Sequence, residues 1–293
     1  MQLQWKASLS ASCLHAAACF QEGLPVADAE LVPALGEPIE QLLGELRSCG
    51  LMAEDVLPQL VALAGEVDNH RQLVELAFTR LWGKGSFNET SVARLVGRIA
   101  DLEAALLRER PGLVDELDVR SRPLRQQWES RGPGLLRQMV LMTEDPLLVE
   151  SATVTLVAPI VGGHGRAHLL GNRVTFEGVL VNPHPHLPET LRLGWLLSQL
   201  NQDLPMFSER IPRERMPLVV SLATLPLVLA AAETVELARL DAETLRSALE
   251  CWHLPTQWPA DVIERLQAWW GTYHGSATRW AVALAALDAM LPE

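Results

Sequence analysis

Through the first half of the chain, apolar residues recur at helical spacing. Ile39, Leu42, Leu43 and Leu46 fall at i, i+3, i+4 and i+7, one face of a helix. Val56, Leu60 and Leu63 continue the pattern beyond a Cys49-Gly50 stop. Leu73, Leu76, Ala77 and Leu81 form a further stripe closed by Gly83-Lys84-Gly85. Asn88–Ser91 open a helix carrying Val92, Leu95, Val96, Ile99, Leu102 and Leu106, which Arg110-Pro111-Gly112 ends or kinks. The first twenty residues are expected to form a packed first helix, so that residues 1–150 are helical throughout. Residues 120–135, RSRPLRQQWESRGPGL, break the texture with arginines, Pro123, Pro133 and two glycines, and mark a connector or a basic surface segment leading into the next helix, a solvated loop with Trp128 tucked in being the expectation.

The period then changes. Residues 152–160, ATVTLVAPI, alternate and are rich in β-branched side chains, as a strand requires. Gly162-Gly163-His164-Gly165 reads as a flexible turn. The segments 167–170 and 173–181 flank Gly171-Asn172 and predict a hairpin, stopped by Pro183 and Pro185. After Pro188 the helical pattern returns and persists. The expected fold is α+β and predominantly α-helical, with one small sheet at about 152–181 packed against helices. The expected organisation is a helical region 1–145 and a sheet-plus-helix part 146–293, or one continuous domain.

Composition narrows the function. The chain has 293 residues, 48% of them apolar, and a formal net charge of −12. Lys6 and Lys84 are its only lysines and the arginines are mostly interleaved with acids, which argues against nucleic acid and anionic membranes. The longest apolar run, Met216–Ala232, is interrupted by Pro217 and Pro226 and is shorter than the roughly 20 residues a bilayer requires, so no transmembrane helix is expected. Cys13, Cys19, Cys49 and Cys251 form no CxxC pair and read as free thiols of a reducing compartment. The N-terminus resembles a signal peptide only faintly, because His15 interrupts its run and leucine is sparse. An acidic, soluble, cytoplasmic protein without a cofactor is the expectation.

Residues 187–200, LPETLRLGWLLSQL, carry the most informative pattern. Leu193, Leu196, Leu197, Leu200 and Leu204 form one stripe of a helix opened by Pro188 and Glu189. Leu191 and Trp195 point about 160° away from Leu193, together and one turn apart. A surface helix would carry charge there, so the helix is either buried all round or lines an apolar cleft.

In element order this region resembles a zincin-type metallopeptidase of the gluzincin branch. In that family a small sheet is followed by a helix bearing HExxH, whose histidines bind zinc and whose glutamate activates water. By this resemblance, Arg173–Val181 corresponds to the edge strand. LRLGW occupies the place of HELGH, with Leu191 and Trp195 for the histidines and Arg192 for the glutamate. In Leu227–Leu240, Glu233 or Glu236 corresponds to the third ligand. Leucine and tryptophan bind no zinc, and arginine is no base at neutral pH. The resemblance therefore implies a catalytically inactive pseudo-peptidase with a binding or scaffolding role toward a protein or peptide partner. It also implies that restoring His, Glu and His at 191, 192 and 195 creates zinc affinity.

A second reading is a metal-dependent enzyme. His164, His168, His184 and His186 lie close in sequence, and His184 and His186 project to one side of an extended segment, near Glu177 and Glu189. Other chemistry is poorly supported. Gly162–Gly165 lacks the Lys-Ser/Thr of a phosphate loop, and Ser208, Ser221 and Ser276 lack a nucleophile elbow. Cys251 and His253 do not face each other on a helix. Trp252, Trp258, Trp269, Trp270 and Trp280 are expected to fill gaps between crossing helices.

Overall fold

The structure, a computed structural model, describes all residues except 86, 87, 144, 170, 180, 181, 183, 255–258, 275 and 293. Trp258, Pro183, Leu170 and the last two residues of the expected 173–181 strand thus lie outside the described residues.

The chain opens on a strand, not a helix. β1 (Gln2–Ala7) alternates exposed and half-buried residues, because Gln2, Gln4 and Lys6 interleave with Leu3, Trp5 and Ala7 at period two. Only then does α1 (Leu9–Gln21) begin, capped by the Ser8 hydroxyl accepting from the Ala11 N–H. Next come α2 (Leu31–Ser48), α3 (Ala53–Ala64), α4 (His70–Trp82), α5 (Glu89–Glu109) and α6 (Leu113–Leu141), then β2 (Ser151–Val157), β3 (Gly165–His168) and β4 (Arg173–Glu177). The rest is helical: α7 (Glu189–Leu197), α8 (Pro205–Ser208), α9 (Met216–Thr234), α10 (Ala242–Cys251), α11 (Val262–His274) and α12 (Trp280–Met290). The molecule is predominantly helical, with one mixed four-stranded sheet in the order β1-β2-β4-β3.

In the sheet, β1 and β2 run parallel with Gln2 opposite Ser151, and β2 and β4 run parallel with Thr153 opposite Arg173. The expected hairpin is present: β3 and β4 pair antiparallel, Gly165 opposite Phe176. Its place in the sheet differs from the expectation. The 173–177 strand is interior, held between β2 and β3, and β3 forms the edge. Parallel pairing to β2 puts β4 inside, so the hairpin's first strand is left at the rim.

Each sheet face carries a helical layer. Leu3, Trp5, Val154, Leu156, Val174 and Phe176 join the core built by α6, α7 and α9–α12. The opposite face is polar yet covered. Thr153, Thr155, Arg173, Thr175 and Glu177 are all buried, and Thr155 abuts Gly65 at the end of α3 so closely that a Cβ there would meet its hydroxyl at 2.3 Å. Behind that face α1–α5 build a second apolar core.

Residues 120–135 are not a connector. They form the middle of α6, which is continuous through Pro123 and Pro133. Leu117, Ser121, Leu124, Trp128, Leu135 and Met139 make a buried stripe along it, and apolar burial overrides the two interior prolines. Leu113 and Leu117 belong to the α1–α5 core and Leu124 onward to the core of α7 and α9–α12, so α6 ties the two layers together.

α9 likewise runs unbroken through Pro226. By length and composition it passes for a membrane span, but 83% of its apolar window is buried inside the fold, so here it is the central core helix. Trp252, Trp269, Trp270 and Trp280 are buried between the C-terminal helices, with Trp269 stacked on Tyr273 and edge-on to Trp280.

Candidate functional site

Every residue of α7 is buried. Leu193, Leu196 and Leu197 face the core as their stripe predicts, but Leu191 on the other face is equally inaccessible. Gly194 sits where a Cβ would meet Leu135 of α6 at 2.8 Å and Val228 of α9 at 3.5 Å, so the Leu-Gly lets three helices approach closely.

Arg192 is fully buried, and its guanidinium is a structural clamp. Nη1 donates to the His164 carbonyl, and Nη2 donates to the Glu177 carbonyl at 2.9 Å and to the Glu189 carboxylate. Its plane lies over the Phe176 ring, 3.7 Å from the centroid. Arg192 thus pins α7 to the ends of β3 and β4. Trp195 stacks on Trp252 at 5.2 Å and donates its indole N–H to the Ser221 carbonyl at 2.9 Å. Glu233 and Glu236 lie exposed at the far end of α9. Glu233 is twelve residues beyond Ser221, about 18 Å along a helix axis, so it stands well away from the carbonyl that holds the Trp195 indole.

An open trough runs beside β3. Two adjoining cavities of about 620 and 680 Å³ share Arg166, Ala167, Gln199 and Pro217. The first is floored by Trp195, Leu196 and Trp252, and the second by Met216 and Val220 of α9 and Pro58 of α3. Of the residues at the degenerate motif, only Trp195 reaches this trough.

The edge strand is paired within the sheet along one side only. Glu177 donates its N–H to the His164 carbonyl at 3.1 Å, so 164 and 177 are a hydrogen-bonded pair. By the alternation of an antiparallel ladder, Arg166 and His168 also bond to β4, whereas Gly165 and Ala167 turn their N–H and C=O groups outward.

The covered polar face of the sheet holds a second constellation, which sequence reasoning missed. The Glu177 carboxylate is completely buried and accepts the backbone N–H groups of Val161, Gly162, Gly163 and His164 at 2.8–3.0 Å. Gly162 and Gly163 reach φ of +95° and +146° to aim them, so the supposed flexible turn is a nest closed on an anion. His15 Nε2 lies 2.9 Å from the same carboxylate. Burial would raise the Glu177 pKa, but the His15 hydrogen bond and charge and the nest outweigh it and bring it to about 2. Burial likewise lowers His15, yet Cys19 and Glu177 raise it to about 10. The signal available in the sequence was His15-x-x-x-Cys19, one turn apart on an otherwise small, apolar helix.

The four histidines of 164–186 do not converge. His164 stacks on His15 at 5.4 Å, while His168, four residues along the strand, bonds the Thr175 hydroxyl at 2.8 Å. His184 and His186 pair with each other, ring centroids 5.6 Å apart, in the turn before α7. Among the described residues, the one group of three or more metal-ligating side chains is His15, Cys19 and His164.

No protein-family model matches the chain, and no curated protein or solved structure is detectably similar to it.

Proposed function

We propose that the chain is a binding protein that holds an extended peptide segment of a protein partner along β3, in a zincin-like arrangement stripped of peptidase chemistry. One observation carries the reading: a trough flanks an edge strand whose Gly165 and Ala167 present outward-facing backbone groups. An extended peptide adds to such an edge by main-chain hydrogen bonds, and its alternate side chains enter the pockets beside it. The floor of Trp195, Leu196, Trp252, Met216 and Val220 suits apolar side chains. The element order of hairpin then buried helix is what supports the zincin comparison, although the edge position falls to β3 and not to the 173–177 strand matched to it. Leu191, Arg192 and Trp195 supply neither metal ligand nor base, which makes the role binding instead of hydrolysis.

The test is a peptide library panned against the full chain, with selected peptides compared on wild type and Ala167→Pro. Proline at 167 removes an outward N–H while leaving the β4 ladder bonded. Selected peptides should lose about tenfold or more in affinity with the fold intact, and should protect the Gly165 and Ala167 amides from exchange. A library without binders, or binding indifferent to Ala167→Pro, defeats the reading.

A further inference from the structure

The cluster of His15, Cys19 and His164 lies on the opposite side of the sheet from α7 and is independent of the trough reading. His15 and Cys19 are four residues apart on α1, so both side chains leave the same face of the helix. His164 comes from the loop entering β3 and stacks on His15, ring planes 19° from parallel. One ring nitrogen of each histidine and the Cys19 sulfur all lie within 4.8 Å of one another. The three residues are 3%, 1% and 6% exposed. His164 Nδ1 is buried and finds no partner among the described residues, which a native fold rarely tolerates without a ligand. Beside the rings and the thiol is a cavity of about 10 Å³, lined also by Ala18, Pro58, Val61 and Arg166, whose guanidinium is paired with Glu22, and close to the room one water needs.

From this geometry we infer that His15, Cys19 and His164 form a binding site for a single borderline-soft divalent metal ion, Zn²⁺ foremost, with a water as fourth ligand. Two imidazoles and one thiolate are the donors such an ion prefers, and three protein ligands plus water is its open tetrahedral form. Cys19 Sγ stands 3.5 Å from His15 Nε2 and 3.9 Å from Nδ1, the nitrogen free to take a metal, against about 3.5 Å between ligand atoms of a tetrahedral zinc. The other His15 nitrogen is already held by Glu177. That makes a carboxylate–histidine pair of the kind that orients metal-bound imidazoles, with the carboxylate itself locked by the nest. Charge balances as well: the Cys19 thiolate and the Glu177 carboxylate together match a divalent cation. Binding displaces the thiol proton and any proton on His15 Nδ1 to solvent, and nothing is oxidised or reduced.

The experiment uses the full chain, stripped with a chelator and titrated with Zn²⁺ against a chromophoric competitor, and separately with Co²⁺ followed by absorption. One equivalent of metal should bind, and the cobalt form should show a thiolate-to-metal charge-transfer band with tetrahedral d–d absorption. Cys19→Ser should abolish the charge-transfer band. His164→Asn should keep it but weaken Zn²⁺ about 100-fold or more, beyond the 10–100-fold expected from losing a supporting group. Cys49→Ser and Cys251→Ser should change neither. His15 is avoided as a first variant, because its loss leaves Glu177 without its imidazole partner. Should Cys19→Ser not fold, the wild-type cobalt spectrum and His164→Asn decide. Absence of stoichiometric binding, a cobalt spectrum without thiolate charge transfer, a band that survives Cys19→Ser, or Zn²⁺ affinity unchanged in His164→Asn overturns the site.

Discussion

Replacing Arg192 with methionine tests whether the residue in the place of a catalytic glutamate is structural. Methionine keeps an unbranched, polarisable chain against Phe176 and removes only the guanidinium. The two carbonyls it serves are not orphaned, since His164 O still accepts from the Glu177 N–H and Glu177 O from the Val179 N–H, both at 3.1 Å. The main cost is therefore Glu189, whose carboxylate is 10% exposed and loses its cation. Breaking a buried pair by removing one partner costs about 3–5 kcal/mol, a large share of the roughly 5–15 kcal/mol that holds a domain together. Urea denaturation of Arg192→Met at neutral pH should show that loss. Arg192→Met with Glu189→Gln should recover about 2 kcal/mol of it, because the stranded charge is gone. A single variant costing under about 1 kcal/mol, or strict additivity in the double variant, refutes the clamp. The same geometry bears on restoring the peptidase motif. Leu191→His, Arg192→Glu and Trp195→His together would set a second carboxylate beside Glu189 and two carbonyls, so the triple variant is expected not to fold and to bind no zinc at α7.

Three further outcomes follow from neighbouring contacts. Trp195→Ala should cost about 3–5 kcal/mol and Trp195→Phe about 1 kcal/mol, since Ser221 O keeps the Thr224 hydroxyl at 3.3 Å when the indole N–H is lost; thermal melts that rank Phe as badly as Ala would contradict this. Gly194→Ala should destabilise by about 1–2 kcal/mol despite alanine's better helix propensity, because its Cβ meets Leu135 at 2.8 Å, and a stabilised variant would show that α7 has room to spare. Burial, then the charges of Arg166, His15 and Arg173, hold His168 down to about 3, against about 6.5 when unfolded. The unfolded chain therefore takes the proton first as pH falls, and stability is lost from about pH 6.5 downward, by about 2 kcal/mol at pH 5. His168→Gln should lack that component, so urea midpoints that fall in parallel for both proteins between pH 7 and 5 would disprove it.

What could be read from the sequence was local. Gly171-Asn172 between two β-branched runs announced the β3–β4 hairpin, and the double-faced leucine pattern of 187–200 announced a helix without a solvent face. What escaped was nonlocal. β1 pairs with a strand that begins at Ser151, and six alternating residues at a terminus do not name so distant a partner. The prolines of α6 misled in the same way, because a breaker signal is a local cost that burial on several sides outweighs.

The polar face of the sheet shows why the candidate metal site was the hardest feature to see. Thr153, Thr155 and Thr175 alternate with apolar residues as on any solvated face. Alternation distinguishes two faces but does not say which medium covers the polar one. Here α1 covers it, and its contribution is polar too: the Ser12 hydroxyl accepts the Ala158 N–H at 3.0 Å, and His15 meets Glu177. A buried carboxylate with four backbone donors and an imidazole needs Gly162-Gly163, β4 and α1 to arrive from three places in the chain. Such a group is costly unless fully satisfied, and Glu177 is. His164 is its immediate neighbour and is not, since its Nδ1 is buried and unpaired among the described residues. Arg173 Nη1 and Arg192 Nε are likewise buried and unpaired among the described residues, so it is the thiol and second imidazole grouped with His164, more than its unpaired nitrogen, that mark a candidate metal site in a polar core.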